Sequence, residues 1–565
     1  MADHSSSSSS GDYYLGVDVG TSSARAAIVD AHGRILATHV SPLETNAPRP
    51  DYFEQSSENI WQASCTAVQH AVRQSNIDPT AIKGLGFDAT CSLVALSYTL
   101  APVTVSPTNL PKWNVIMWMD HRASAEAAEM SATGHAVLQR TGGKISEEMS
   151  AAKTLWLARR MPDSYTQAET LIELPDFLTL KATGRAARGL NSLACKWTYD
   201  VDNGFDDVFW RAVGMDALVD DGYAKFLGHE KAVAGVGEVV GLLTEEAARE
   251  MGIPACAGLK VGAGIIDAYA GAIGTLGASL TPSAPLTLDT VATRMAVICG
   301  TSSCHIALSR AQHFIPGVWG PYNSILLPEF HVHEGGQSLT GALLDHIIKT
   351  HPAFPHLNRK EPYAHLNTLV ADLARESNTN PASFPAQLTT DLHLTPDFHG
   401  NRSPLADAAL RGVVVGAALD VSLNALAKLY LATVQALAYG ARQIIDAANA
   451  GGHAVKELVV SGGLCKNAVF VQTLADATRC RVLLPREADA VLLGAAMLGA
   501  AAAGGGGGGA LWDRMVQMGA VGTVVEPCQG EESDFHQRKY EVFEELYRMQ
   551  AFAKDRMRGV RAASQ

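Results

Sequence analysis

The chain lacks an excess of basic residues. It contains 44 Lys and Arg against 57 Asp and Glu, which gives a formal net charge of −13 at pH 7. Proteins that bind nucleic acids need clustered positive charge to neutralise the phosphates. The charge balance therefore argues against nucleic acid as a partner.

The chain also lacks a cysteine framework. Its nine cysteines are an odd number, and none stands in a Cys-x-x-Cys pair. Disulfide scaffolds and cysteine-based zinc sites are recognised by even numbers and by such pairs. We expect reduced thiols and, since neither end carries a secretory or targeting pattern, a cytoplasmic protein.

Long hydrophobic segments are missing as well. The longest apolar run, residues 490–503, is too short for a membrane span and consists mostly of Ala and Gly. We expect a tightly packed core helix at this position and no membrane partner.

What the chain does contain is an internal repeat. Residues 16–23 read GVDVGTSS and residues 297–303 read VICGTSS, so that an apolar strand runs twice into Gly-Thr-Ser-Ser. A tight glycine turn directs backbone N–H groups and small hydroxyls at one spot, which suits phosphate oxygens. A single turn of this kind is most simply a hairpin, but two of them, one in each half of the chain, indicate two related domains around one nucleotide. The expected phosphate-binding residues are Gly20, Thr21 and Ser22 on one side and Gly300 and Thr301 on the other.

The two copies of the repeat differ in one informative position. Aligning Gly20 with Gly300 sets Asp18 opposite Ile298, so only the first copy carries a carboxylate. A magnesium ion on a nucleotide usually keeps several waters and is held through one or two carboxylates. We therefore expect Asp18 to be the magnesium ligand.

Further motifs follow the first hairpin along the chain: WMDHR at 118–122, GAGIIDA at 262–268 and VVSGGLCKN at 459–467. Together with the first hairpin they resemble, in the same order, the motifs of the FGGY carbohydrate kinases, and most closely those of D-ribulokinases. The resemblance covers about residues 13–504 and implies that Arg25 contacts phosphate. It also implies an α/β fold of two actin-like (ribonuclease H-like) ATPase domains flanking a central cleft, with ATP and Mg²⁺ as cofactors.

Asp267 is the residue on which the enzyme interpretation depends. Phosphoryl transfer needs a carboxylate that accepts the proton of the attacking hydroxyl, and the family resemblance gives this role to Asp267. The alternative is a helix cap, because the apolar segment after Asp267 can start a helix. Both can hold, since a helix N-terminus helps to keep a carboxylate ionised.

The nucleoside and sugar positions rest on the resemblance. Gly462 and Gly463 allow a flat purine to approach the backbone, and Asn467 is either an adenosine contact or a helix cap. For the sugar, the family resemblance implies that Lys196 and Glu334 contact a ketopentose together with Asp267 and that Ala89 lines the pocket. The alternative for Lys196 is a solvated surface side chain beside a packed Trp197.

One segment departs from the family pattern. Residues 396–404, PDFHGNRSP, resemble the signature that precedes the nucleotide-binding half, with Asn401 where many members have Glu. The expected reaction is ATP-dependent phosphorylation of a ketopentose, D-ribulose first of all. The alternatives are a kinase for L-ribulose, xylulose or glycerol, or an actin-like ATPase that serves as an interaction module. The expected partners are a small sugar and ATP, and a homodimer is compatible with the sequence.

Composition and periodicity divide the chain into five parts. We expect a disordered Ser-rich tail (1–11), a sugar-binding and catalytic domain (12–278), a linker or insertion (279–293), a nucleotide-binding domain (294–503), and a Gly-rich loop with terminal helices (504–565). Strands are expected at 13–18, 24–30 and 34–41. A helix capped by Ser57 is expected at 57–73.

Overall fold

The computed structural model of the protein describes residues 11–228, 230–280, 286–376 and 384–562. The expected Ser-rich tail therefore lies outside the described residues except for Gly11, and so do residues 281–285 of the expected linker. Near the end of that linker, Thr287 and Thr290 cap a single helical turn.

Strands and helices are interspersed along the whole chain. The strands are β1 (Tyr13–Val19), β2 (Ser23–Asp30), β3 (Ile35–Pro42), β4 (Glu54–Gln55), β5 (Ile82–Ala89), β6 (Leu93–Leu96), β7 (Val115–Ile116), β8 (Thr170–Glu173), β9 (Arg188–Gly189), β10 (Val233–Ala234), β11 (Val239–Leu242), β12 (Lys260–Gly262), β13 (Ile265–Ile266), β14 (Arg294–Cys299), β15 (Ser303–Ser309), β16 (Trp319–Asn323), β17 (His331–Gln337), β18 (His393–Thr395), β19 (Val413–Val415), β20 (Glu457–Ser461), β21 (Arg481–Pro485) and β22 (Val521–Val525). The helices are α1 (Ser57–Ser75), α2 (Ser124–Ala132), α3 (Ser150–Arg160), α4 (Pro162–Gln167), α5 (Leu174–Thr183), α6 (Leu190–Trp197), α7 (Asp207–Ala212), α8 (Asp216–Asp220), α9 (Ala224–Leu227), α10 (Glu245–Glu250), α11 (Asp267–Leu276), α12 (Leu288–Val291), α13 (Gly341–Thr350), α14 (Pro362–Glu376), α15 (Leu423–Ala450), α16 (Ala468–Thr478), α17 (Ala490–Ala503), α18 (Gly508–Met518) and α19 (Glu531–Ala562).

Two mixed sheets share one strand order. The first sheet runs β11-β12-β5-β1-β2-β3, and the second runs β22-β21-β20-β14-β15-β17 with β16 added at its edge. Each of the five pairings in this order, parallel or antiparallel, has a counterpart of the same direction in the second sheet. The short strand β13 adds a further parallel pairing with β5 in the first sheet. The repeat seen as two short hairpin sequences is therefore a duplication of a whole sheet.

Each sheet packs its outer face against helices of its own domain. Leu15, Val17 and Val19 alternate along β1 and pack with Ile60 and Val68 of α1 in a cluster on the outer face of the first sheet. On the outer face of the second sheet, α13, α15 and α16 pack against β14 and β20 in a second cluster. The inner faces of the two sheets share a third cluster with α11 and α17.

Helices α11 and α17 cross where the two domains meet. α17 follows β21 of the second sheet in sequence but packs against β1 and β5 of the first sheet as well as against α11. A methyl group at Gly494 would overlap the Ala270 carbonyl oxygen, and one at Gly274 would overlap the Ala490 carbonyl oxygen. The predicted core helix at 490–503 is confirmed, and its glycines explain how the backbones approach so closely.

Local predictions hold with two corrections. The strands expected at 13–18, 24–30 and 34–41 correspond to β1, β2 and β3. Ser57 does not cap α1; it is the first helical residue, and the Ser56 hydroxyl accepts from the Asn59 N–H at 3.3 Å. Beyond residue 504 the chain forms α18 and α19 and, unforeseen from the sequence, edge strand β22 of the second sheet.

Replacing Gly494 with Ala should lower the apparent melting temperature, because overpacking of this kind typically costs ~1–3 kcal/mol. The matched control is Gly509→Ala on α18, where no atom lies near the added methyl group. Alanine is the better helix former, so this control should leave the melting temperature unchanged or raise it slightly. Thermal unfolding followed by circular dichroism measures both variants. Equal melting temperatures for Gly494→Ala and wild type would contradict the close helix crossing.

Candidate active site

A cleft of about 370 Å³ opens between the two Gly-Thr-Ser-Ser hairpins. Ten of the positions singled out from the sequence line it together, although they come from five separate segments of the chain. They are Asp18, Gly20, Thr21, Ser22, Arg25, Lys196, Asp267, Gly300, Thr301 and Glu334.

The first hairpin joins β1 to β2. The Gly20 N–H donates to the Ser23 carbonyl at 3.0 Å, which closes the turn. The Trp118 indole N–H donates to the Thr21 hydroxyl oxygen at 3.0 Å and fixes that side chain at the rim of the cleft. Trp118, part of the WMDHR segment, thus supports the hairpin.

The second hairpin joins β14 to β15 and closes one residue more tightly. The Gly300 N–H donates to the Ser302 carbonyl at 2.9 Å, whereas Gly20 bonds to the residue three positions on. The Thr301 carbonyl accepts from the Thr340 N–H at 2.8 Å, just before α13 begins at Gly341. The two hairpins thus share a sequence but differ in their closing hydrogen bond and in their supports.

Three carboxylates meet at the base of the cleft. Asp18 lies opposite Asp88 in the parallel register of β1 and β5, and the pairing of Ile265 with Asp88 brings Asp267 to the same end of the sheet. Arg25, across the hairpin from Asp18, forms an ion pair with it through Nε at 2.6 Å. No N–H or O–H donor among the described residues reaches either oxygen of Asp88. The site therefore concentrates negative charge that a single arginine balances in part.

Burial and repulsion shift the acidity of two of these carboxyl groups. Burial and the charge of Asp18 raise the pKa of Asp88 well above its usual range. The same two causes raise the pKa of Asp267 to about 6. Asp267 is the first residue of α11, and its Oδ1 accepts from the Ala268 N–H at 2.7 Å, but Ile266 rather than Asp267 is the cap residue. Asp267 is thus mostly ionised at pH 7.

Charged and aromatic side chains form the opposite wall. Lys196, at the end of α6, is 2% exposed, which excludes the surface alternative for this residue. Its ammonium group lies 4.6 Å from the centre of the Trp319 ring. The Glu334 carboxylate accepts from Arg402 Nη2 and from the Tyr269 hydroxyl, both at 2.8 Å. Both Glu334 oxygens are thus held in fixed positions at the cleft wall.

Arg402 and Glu148 also line the cleft and were missed in the sequence. Arg402 belongs to the segment 396–404, whose likeness to a family signature was recognised without a role for its arginine. Its guanidinium stacks over the Trp319 ring at 4.5 Å and lies 3.9 Å from Glu148. Glu148 stands in no motif, so nothing local marks it, and only the fold brings it to the cleft.

Four predicted positions do not line this cleft. Ala89 is fully buried beneath it, and its successors Thr90 and Cys91 form the wall. Gly462 follows β20 with φ 92°, and a methyl group there would overlap the Cys299 carbonyl next to the second hairpin. Gly463 faces open space. Their assigned roles remain predictions.

Asn467, the fourth of these positions, is the cap of α16. Its Oδ1 accepts from the Phe470 N–H at 3.3 Å, and its amide donates to the Tyr430 hydroxyl at 2.6 Å. Asn467 therefore does cap a helix, while its contact with adenosine stays a prediction.

Comparison with known proteins identifies the family. Residues 13–274 match the N-terminal domain, and residues 295–503 the C-terminal domain, of the FGGY family of carbohydrate kinases. The chain belongs to this family and is a carbohydrate kinase. Two actin-like domains flanking a cleft, as predicted, are confirmed. Enzymes of this family phosphorylate sugars with ATP, generally with Mg²⁺.

Individual relatives extend over most of the chain. An FGGY carbohydrate kinase domain-containing protein of Danio rerio is 46% identical over 542 residues, which cover 95% of this chain and 98% of the relative. A D-ribulokinase of Saccharomyces cerevisiae is 36% identical over 517 residues, 86% of this chain and 71% of the relative. The solved xylulose kinase of Rhodospirillum rubrum superposes with a TM-score of 0.73 at 22% identity, covering 95% and 98% of the two chains, and supports the fold alone. Within the described residues, no helix is long and apolar enough to cross a membrane.

Replacing Arg402 with Met should lower the free energy of unfolding by about 3 kcal/mol, because it leaves the buried Glu334 carboxylate without its cation. The double variant Arg402→Met with Glu334→Gln removes that charge as well and should recover part of the loss. Urea unfolding of both variants measures the difference. If the single variant were as stable as wild type, the pair would not hold the cleft wall.

Proposed function

We propose that the chain transfers the γ-phosphoryl group of ATP to the terminal hydroxyl of a ketopentose, D-ribulose in the first place, with Asp267 as the general base. The similarity to a D-ribulokinase over most of the chain supports the sugar class. A cytoplasmic location is part of the proposal, and the nine unpaired cysteines are consistent with it.

One observation carries the catalytic part of the proposal. Asp267 lines the same cleft as both phosphate hairpins and as the cluster of Lys196, Glu334 and Arg402. A carboxylate at that position can reach a hydroxyl of a sugar held by the cluster. Its pKa of about 6 suits a base that works near neutral pH.

The residues present fit a divalent cation at the base of the cleft. The orphaned oxygens of buried Asp88 and the adjacent Asp18 form an oxygen-donor set of the kind that Mg²⁺ prefers. Asp18 would hold the ion. Bound there with ATP, magnesium would neutralise phosphate charge that otherwise opposes the attack of an oxygen nucleophile.

The hairpins and the second domain would receive the nucleotide. Backbone N–H groups and hydroxyls of the two Gly-Thr-Ser-Ser turns face the phosphates from both domains. Arg25, one-third exposed beside Asp18, can turn its remaining N–H groups to phosphate. The open space at Gly463 leaves room for the nucleoside, and the predicted nucleoside contacts of Gly462 and Asn467 are part of the proposal.

The reaction then needs only positioning and one proton transfer. Lys196 and Glu334 orient the sugar so that its O5 hydroxyl lies between Asp267 and the γ-phosphorus. Asp267 accepts the O5 proton while O5 bonds to the γ-phosphorus, and the bridging oxygen leaves with its electron pair on ADP. The cleft walls exclude water, which would compete as acceptor.

A panel of acceptors tests the sugar. In a coupled assay of ADP release, D-ribulose should give the highest kcat/KM among D-ribulose, L-ribulose, D-xylulose and glycerol. A higher value for one of the others would overturn the ribulose assignment and keep the kinase. ATP hydrolysis indifferent to all four would instead support an ATPase that serves as an interaction module.

Asp267→Asn should lower kcat about 10²–10⁴-fold, because the amide keeps the size of the side chain but cannot accept a proton. The midpoint of thermal unfolding in the presence of ATP should stay close to that of wild type. Near-normal turnover in this variant would remove Asp267 from the role of base.

The pH profile of wild type provides an independent control. Because the pKa of Asp267 is raised and the ionised form is the base, kcat/KM should be flat above about pH 6 and fall about tenfold per unit below it. The residual activity of Asp267→Asn should lack this acid limb.

A further inference from the structure

Three potential metal ligands converge between α16 and α19, and none of them lines the cleft. Asp476 lies on α16, and Glu532 and His536 lie one turn apart on α19. One donor atom from each of the three residues lies within 4.8 Å of the others. None of the three has a role in the kinase reaction described above.

Neighbouring groups already orient two of these side chains. Asp476 is 4% exposed, and its Oδ1 accepts from the Gln472 side-chain amide at 2.8 Å and from the Cys528 N–H at 2.7 Å. His536 is 2% exposed, and its Nδ1 lies 2.8 Å from the Tyr439 hydroxyl. The Cys528 side chain also hydrogen-bonds the Asp476 carboxylate. Ligands of metal ions are commonly fixed through their second donor atom in this way.

Among the described residues, neither of the two carboxylates is paired with a cation. Within the described part of the chain, Glu532 makes no hydrogen bond or ion pair, and burial and the charge of Asp476 raise its pKa to about 7. The nearby cations are engaged elsewhere: Arg442 donates to the Gln537 side chain, and Lys539 donates to Thr389 and Leu392.

We propose that Asp476, Glu532 and His536 bind one zinc ion, which fastens α19 to α16. A set of two carboxylate oxygens and one imidazole nitrogen suits zinc, with water as a fourth ligand at the half-exposed side of Glu532. Zinc bonds of about 2.0–2.2 Å require the donors to approach more closely than they do here. The partner-free Glu532 side chain can close that gap by rotating.

The proposed zinc site would have a structural role. The chain leaves the second sheet after β22 and reaches α19 through residues 526–530. A metal ion at Glu532 and His536 would anchor the first two turns of this long helix to the nucleotide-binding domain. It uses no Cys-x-x-Cys pair, and its ligands are widely separated in sequence.

Metal analysis of the tag-free full chain tests the proposal. After dialysis against zinc chloride with millimolar Mg²⁺ and then against zinc-free buffer, wild type should retain about one zinc per chain. Glu532→Gln, which preserves shape at a half-exposed position, should retain less than about one-fifth of that amount. The matched control Glu531→Gln alters the exposed neighbour on the same helix and should bind zinc like wild type.

Thermal unfolding separates a structural site from chance binding. Zinc added to chelator-treated wild type should raise the melting temperature by about 2 °C or more, and Asp476→Asn and Glu532→Gln should show no such rise. Zinc retained equally by wild type and Glu532→Gln would point to another position, such as Asp18, and would overturn the proposal. Absence of bound zinc in wild type would overturn it as well.

Discussion

The crossing of α11 and α17 is the contact on which the rest of the molecule depends. Gly274 and Gly494 let the two helix backbones touch, and a side chain at either position would push them apart. α11 carries Asp267 on its first turn, while α17 links the second domain to β1 and β5 of the first. This one helix packing therefore sets both the distance between the two Gly-Thr-Ser-Ser hairpins and the position of Asp267.

The cleft gathers carboxylates at its base and pairs opposite charges on its wall. Asp18, Asp88 and Asp267 lie close together where parallel strands end, and Lys196 and Arg402 stand with Glu334 and Glu148 on the wall beyond them. Buried charges of one sign are unfavourable, which raises the pKa values of Asp88 and Asp267. A bound cation and a polar sugar would reduce this unfavourable electrostatic energy. The arrangement that destabilises the empty cleft therefore also favours the binding of its ligands.

The two halves share the same arrangement of strands but differ in their side chains. Both sheets follow the same strand order, and in both hairpins the glycine N–H closes the turn, onto Ser23 in the first and Ser302 in the second. Asp18 in one half corresponds to Ile298 in the other, and both line the cleft. A symmetric scaffold thus presents an asymmetric site, as a reaction with a nucleotide on one side and a sugar on the other requires.

The sequence by itself determined the motif-bearing residues, because glycine turns, a lone carboxylate and strand periods are local patterns. The two hairpins, Asp18, Asp267 and the core helix at 490–503 were all readable in this way. Arg402, Glu148 and Asp88 were not assigned roles, since their importance comes from burial and from partners distant in the chain. The full duplication of the sheets and the triad of Asp476, Glu532 and His536 likewise belong to the tertiary structure alone. Strand pairing and helix docking bring together side chains that no spacing along the chain relates.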